Sequence, residues 1–348
     1  MLRPTFCLPF VALLLLALAG CGGKHDEPRF VVGAVEDSAK WEPDPGAAMQ
    51  QAHDSGFRAI VLSAVWTPGA TPATLLPPLR RAVEAAAGAD VQPVLAVYQL
   101  SPATPTDPTA RSAFAAFAAG LARALPDVHS VIVGNEPNLN LFWQPQFGPN
   151  GDDAAADQFE PLLAATYDAL KAVRGDIEVV GAGLAPRGGD DPTASRLTHS
   201  PTGFLRDLGR AYRESGRTKP IMDTLSIHVY GESPRIPPSF THPHSTSIGI
   251  ADYPTLVRLL GAAFDGTAQR GSKLPILYGE YGVETTIPTR KAALYTGREV
   301  VRTVDEATQA RFYVDAIGLA RRQPTVKGLY LFHVVDEQPL TGLQSGIR

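Results

Sequence analysis

Eight short, almost unbroken apolar runs, separated by longer stretches of helical period, constrain this chain more than any other feature. The runs are 30–35, 59–63, 92–98, 128–134, 177–183, 224–230, 275–280 and 328–334. They lack the polar alternation of a half-exposed strand, so they read as parallel strands covered on both faces. Helical patterns occupy 46–55, 73–87, 109–124, 154–173, 202–215, 253–270 and 306–322. Ser112 and Asp157 suit first turns, and Gly56, Gly175, Gly216 and Gly271 fall just past helix ends. Strict alternation of this kind demands a parallel sheet, and eight strands point to the α/β class and a closed (β/α)8 TIM barrel. The competing architecture is a doubly wound sheet, suggested by Gly181-Ala182-Gly183-Leu184-Ala185-Pro186 after the fifth run. There Pro186 replaces the third glycine and a loop follows where a helix should start, so the dinucleotide fingerprint fails. Only 14 residues follow Val334, so the eighth helix is expected to be missing or very short. Either another element covers that flank or the C-terminus lies further on.

The first twenty residues read as an address rather than as fold. Arg3 precedes a short apolar run, Phe10 to Ala19, that ends in Leu18-Ala19-Gly20-Cys21. Such a run is too short to span a bilayer, which takes about 20 apolar residues. It suits the core of a signal peptide, and its end resembles a bacterial lipobox, with Cys21 as the lipidated first residue. The expected organisation is a lipoprotein signal at 1–20, a tether at 21–28 and the barrel at 29–348. The chain would be exported and held to the outer face of a bacterial membrane through Cys21 alone. The two cysteines are Cys7 and Cys21, so the mature chain would hold no internal disulfide. With 31 Lys and Arg against 35 Asp and Glu, there is no broad basic surface of the kind that nucleic acid requires.

In such a barrel the active site lies at the C-terminal ends of the strands. The fourth run ends Val133-Gly134-Asn135-Glu136-Pro137 and the seventh ends Tyr278-Gly279-Glu280-Tyr281. Each puts a carboxylate directly after an apolar strand, where burial is costly without a role or a partner. Strands four and seven face each other across the mouth. Two opposed carboxylates are the minimal apparatus for glycoside hydrolysis: one protonates the leaving oxygen and the other attacks the anomeric carbon or activates water. A separation of about 5–5.5 Å implies retention of configuration, and a wider one implies inversion.

Asn135-Glu136-Pro137 after strand four, with Glu280 after strand seven, resembles the clan A retaining glycoside hydrolases, which include cellulase-like and β-xylosidase-like (β/α)8 barrels. The resemblance implies Glu136 as acid/base, Glu280 as nucleophile and Asn135 as a partner of the sugar 2-hydroxyl. It also implies that Tyr230 of the strand-six Ser226-Ile227-His228-Val229-Tyr230 segment hydrogen-bonds Glu280, with His228 lining the mouth. For that chemistry Glu136 needs a raised pKa and Glu280 must stay ionised. Strand eight, Leu329-Tyr330-Leu331-Phe332-His333-Val334, lacks the tryptophan that often floors the reactive subsite in this clan, leaving His333 or Phe332 for that place. No arginine stands at the mouth ends of strands one or two. Phe142, Trp143 and Phe147 follow Glu136 in a loop rich in Pro and Gly, and Tyr281 follows Glu280. Trp143 and Tyr281 are therefore further candidates for sugar contact.

Other chemistries find little support. His242-Pro243-His244 has no third ligand placed by spacing, and Asp152-Asp153 and Asp190-Asp191 read as solvated loop acids, so no metal and no cofactor is expected. No Gly-x-Ser-x-Gly elbow is present. The sequence therefore reads as a monomeric retaining glycosidase acting on an oligo- or polysaccharide. A non-catalytic carbohydrate-binding barrel at the cell surface and a transglycosidase are the alternatives.

Overall fold

The computed structural model describes residues 30–348. The leader, the tether and Cys21 lie outside the described residues. Eight strands form a closed barrel in chain order: β1 Val31–Val35, β2 Ala59–Val65, β3 Gln92–Tyr98, β4 Ser130–Val133, β5 Glu178–Leu184, β6 Thr224–His228, β7 Ile276–Tyr281 and β8 Val326–Phe332. Every neighbouring pair is parallel, and β8 closes on β1 through the register Val31 to Gly328. Seven helices pack outside: α1 Pro45–Asp54, α2 Leu76–Gly88, α3 Pro108–Ala124, α4 Ala154–Val173, α5 Pro201–Glu214, α6 Tyr253–Phe264 and α7 Glu306–Arg321. The fold is a (β/α)8 barrel.

The apolar runs are continuous because both strand faces are buried. Ala59 and Val61 of β2 point into the barrel, with Val94, Ala96, Ile132, Val180, Leu277 and Tyr330. Ile60 and Leu62 point outward into the layer under the helices. Gly33 is required by this interior, since a Cβ there would stand 2.4 Å from the Tyr330 ring. Helix starts are set by side-chain caps on orphan amides: Asp107 accepts from Thr109 and Ala110, Asp153 from Ala156, Ser200 from Gly203 and Asp305 from Thr308. Asp107 and Asp153 do the capping; Asp157 stands in the first turn of α4 as read, and Ser112 falls just past the first turn of α3.

Two boundaries differ from the sequence reading for physical reasons. Helix α6 stops at Phe264 rather than Arg270 because Asp265 turns extended, at φ −58° and ψ 141°, and Gly266 is left-handed at φ +78°, leading the chain away to Gln269. Gln269 Oε1 accepts from the Ile221 and Met222 amides ahead of β6. After β8 no helix forms. The tail crosses the flank in extended form, with Tyr313 and Gln309 of α7 donating to the Ser345 and Gly346 carbonyls. Ile347 N donates to Val334 O, and Arg348 reaches Ser55 at the end of α1 at 2.9 Å. This segment covers the gap between α7 and α1 that an eighth helix would fill, and its own Gln344 and Ser345 are buried there.

Candidate active site

Glu136 follows β4 through a tight turn. Gly134 has φ +88° and Glu136 itself φ +43°, a left-handed conformation that a residue with a side chain rarely adopts. The strain is held by neighbours. Glu136 N donates to Gly183 O at 2.9 Å. The buried Asn138 side chain clamps the same turn to the loop after β5, accepting from Ala185 N and donating to the Ala185 and His199 carbonyls. Gly183 gives room to the opposite side chain, because a Cβ there would stand 3.3 Å from His228 Nε2.

Glu280 is delivered by an irregularity in pairing. The register slips between Ile227 and His228 and between Tyr278 and Tyr281. Gly279 lets β7 approach β6 there, since a Cβ would meet Ser226 Oγ at 2.3 Å. Consequently the Glu136, Glu280 and His228 side chains converge, with their ligand-type atoms all within 4.8 Å of one another. His228 Nδ1 lies 2.9 Å from Glu136 Oε1 and 3.3 Å from Glu280 Oε2. The Tyr230 hydroxyl donates to Glu280 Oε2 at 3.0 Å. Asn135 is half-buried beside this group.

Burial pushes the Glu280 carboxyl up to about 7, and the nearby Glu136 charge adds to this, while His228 and the Tyr230 hydrogen bond act against it. At neutrality Glu280 of the free protein therefore shares a proton rather than standing fully ionised. Burial alone would lower the His228 pKa, but the Glu280 charge and the bond and charge of Glu136 together raise it. Burial and the two carboxylates hold the Tyr230 hydroxyl well above its ordinary value, so it remains a donor.

Among the described residues this trio is the one group of His, Cys, Asp or Glu side chains near enough to share a metal ion. Its chemistry favours a proton in that place. An imidazole whose proton affinity is raised by two carboxylates bridges them as a donor, and a metal would have to displace that proton.

Several expected contacts lie elsewhere. Trp143 is corrected from the sugar-binding set: it is 0% exposed and packs edge-on against Phe159 of α4 with ring centroids 5.5 Å apart. The loop folds inward because the apolar indole gains more from the α4 surface than from the rim. Tyr281 is likewise corrected. It borders the lobe of Glu136 and Glu280, but it is 2% exposed and meets Tyr313 of α7 edge-on at 5.8 Å, so its ring supports the strand end instead of presenting a face to sugar. His333 turns away from the carboxylates because its backbone is left-handed at φ +76°. It lines a separate cavity of about 1060 Å³, with Glu36, Asp336 and Glu337, that contains neither Glu136 nor Glu280. Phe332 is the strand-eight aromatic that faces the cleft of Glu136 and Glu280, edge-on to Tyr230 at 6.2 Å.

The cleft has two lobes that share Glu136, Arg187 and Tyr230. One, of about 380 Å³, holds both carboxylates. The other, of about 400 Å³, holds Glu136 without Glu280 and is lined by Leu139, Arg196 and Thr198. Arg187 was not singled out in the sequence, although its place just past the mouth end of β5 was a signal. Lys40 was missed as well. It is 6% exposed at the mouth ends of β1 and β2, donating to Ser63 O at 2.7 Å and paired with Asp37 at 2.7 Å. A buried cation thus occupies the region where the sequence shows no arginine.

No protein-family model matches the chain, and no curated protein sequence matches it. Solved structures do. The virulence factor SghA from Agrobacterium tumefaciens aligns with a TM-score of 0.59 at 12% identity, over 92% of each chain. A β-glucosidase, 1317, aligns at 0.57 and 16% identity over 91% of this chain and 92% of its own. A GH5-4 broad specificity endoglucanase from Clostridium acetobutylicum aligns at 0.54 and 15% identity, over 91% of each chain. At such identities the likeness establishes the shared barrel.

Proposed function

We propose that this protein is a retaining glycoside hydrolase acting on an oligo- or polysaccharide. The observation that carries the reading is the pair Glu136 and Glu280 at the mouth ends of β4 and β7, with carboxylate oxygens within 4.8 Å. Carboxylates this close accord with the ~5–5.5 Å spacing of retention better than with the wider gap in which inversion seats a water. The barrels it aligns with bear names that agree: a β-glucosidase, an endoglucanase, and SghA, which was solved with its substrate analog salicin.

In this mechanism a Glu280 carboxylate oxygen attacks the anomeric carbon as the bond to the leaving oxygen breaks, and Glu136 gives that oxygen its proton. A covalent glycosyl ester forms. Glu136, now a carboxylate, takes a proton from water as the water attacks the anomeric carbon, and Glu280 leaves ionised. The Tyr230 hydroxyl holds the attacking carboxylate in aim and favours its charged form. Asn135 bonds the 2-hydroxyl, and Phe332 walls the reacting sugar.

The test is reducing-end release from a panel of β-glycans and aryl glycosides by residues 22–348, with Glu280→Gln alongside and the first-formed anomer read by NMR. Release with retained configuration, lost by several orders of magnitude in the variant, supports the reading. Glycan binding without release from either protein overturns it in favour of a binding barrel, and products longer than the substrate favour a transglycosidase. We also propose that the chain is exported and anchored through a lipid on Cys21. Replacing Cys21 by Ser is expected to move the protein from the membrane fraction to the aqueous fraction, and an unchanged distribution overturns the anchor.

A further inference from the structure

Charge is segregated across the cleft. Around the two carboxylates the wall carries further acids, Glu232 and Glu284. The neighbouring lobe carries two guanidinium groups, Arg196, which lines that lobe alone, and Arg187, which stands at the boundary and lines both. Arginines nearby are neutralised: Arg206 pairs with Asp207, Arg210 with Asp157 and Glu214, and Arg217 with Asp168. Among the described residues no carboxylate lies within 4.0 Å of Arg187 or Arg196. Arg187 is half-buried and aimed by a single bond, Nη1 donating to Tyr230 O at 2.9 Å, which leaves its other N–H groups free. Glu232, the acid best placed to compete for it, is held by His242, whose Nε2 lies 2.6 Å from Glu232 Oε1. The charges of Glu232 and Glu136 act on Arg187 from a distance, but neither pairs with it directly, and the fork remains charged whatever its surroundings.

The position of these arginines says which part of a substrate they meet. Glu136 lines both lobes, whereas Glu280 lines only the acidic one. Resting on the glycosidase reading above, the sugar under attack lies over Glu280. The group that receives the Glu136 proton then departs into the other lobe. We propose that Arg187 and Arg196 form a specificity site for an anionic group, a carboxylate or a sulfate ester, on the leaving-group side of the scissile bond, so that the substrate is an acidic glycan. A guanidinium fork matches either anion with paired hydrogen bonds, and the acids around Glu280 disfavour a second negative charge on the sugar attacked.

The test uses the full chain and reads binding, so it does not depend on turnover. The probes are oligosaccharides of glucuronoxylan, native and carboxyl-reduced, and of a sulfated galactan, native and desulfated, titrated calorimetrically. At least one acidic member is expected to bind ~10-fold or more tighter than its neutral match. That preference is expected to shrink in Arg196→Gln, with affinity for the neutral member unchanged, and to vanish in the double variant with Arg187→Gln. Which native member is preferred tells carboxylate from sulfate. Arg196 makes no contact with Tyr230, so its variant separates anion binding from support of the catalytic tyrosine. Equal affinity within both pairs, no binding by any acidic member, or a preference that survives both substitutions overturns the proposal. Release from neutral glycosides without any acid preference removes the anion site and leaves the hydrolase reading standing. An arginine-dependent acid preference with no release from any glycoside does the reverse.

Discussion

The Tyr230 hydroxyl donates to Glu280 Oε2 at 3.0 Å, joining the end of β6 to the end of β7 across the floor of the cleft. The bond opposes the upward pull of burial on the Glu280 pKa. Tyr230→Phe removes it and keeps the ring against Phe332. A hydrogen bond to a charged group contributes about 1.5–3 kcal/mol, so kcat/KM is expected to fall roughly 10–100-fold. The acid limb of the pH profile, set near 7 by Glu280, should move upward, because the variant carboxyl holds its proton more tightly. A fall in kcat/KM with the limb unmoved would assign Tyr230 a packing role alone.

Stability should depend on the same proton. The Glu280 pKa is raised on folding, so its contribution is fully present below the ordinary carboxyl value and is lost as pH climbs through about 7. Glu280→Gln is a neutral isostere. Thermal unfolding is expected to show a Tm equal to wild type near pH 4 and higher than wild type at pH 8.5. A variant less stable than wild type at the higher pH would contradict this.

His228 bridges the two carboxylates, and its charge restrains the rise of Glu280. His228→Ala should therefore shift the acid limb upward and lower kcat/KM. Wild-type activity should survive prolonged dialysis against a chelator, since the reading places a proton between these groups. Activity lost on chelation and restored by a divalent ion would reassign the trio as a metal centre.

Trp143 supports the loop beyond Glu136 from inside. Trp143→Ala is expected to cost about 3–5 kcal/mol in urea unfolding. The milder Trp143→Phe should leave KM for the released glycoside unchanged, and a several-fold rise in KM would return this ring to the sugar-binding surface.

Local pattern determined the eight strands, the seven helices and the two acids at the ends of β4 and β7. An apolar run and the residue that ends it are neighbours in the chain, and the barrel turns a strand end into a place at the mouth. β3 and α4 lie where their periodicity puts them, at 92–98 and 154–173. Tertiary structure decided what each remaining side chain meets. His228 bridges Glu136 and Glu280 only because the registers slip beside it. The left-handed backbone at His333 sends that ring to another cavity. Trp143 found α4 instead of solvent, and Arg187 found Tyr230, 43 residues along the chain. Those outcomes depend on contacts between distant segments, which burial and hydrogen bonding select only after the barrel has closed.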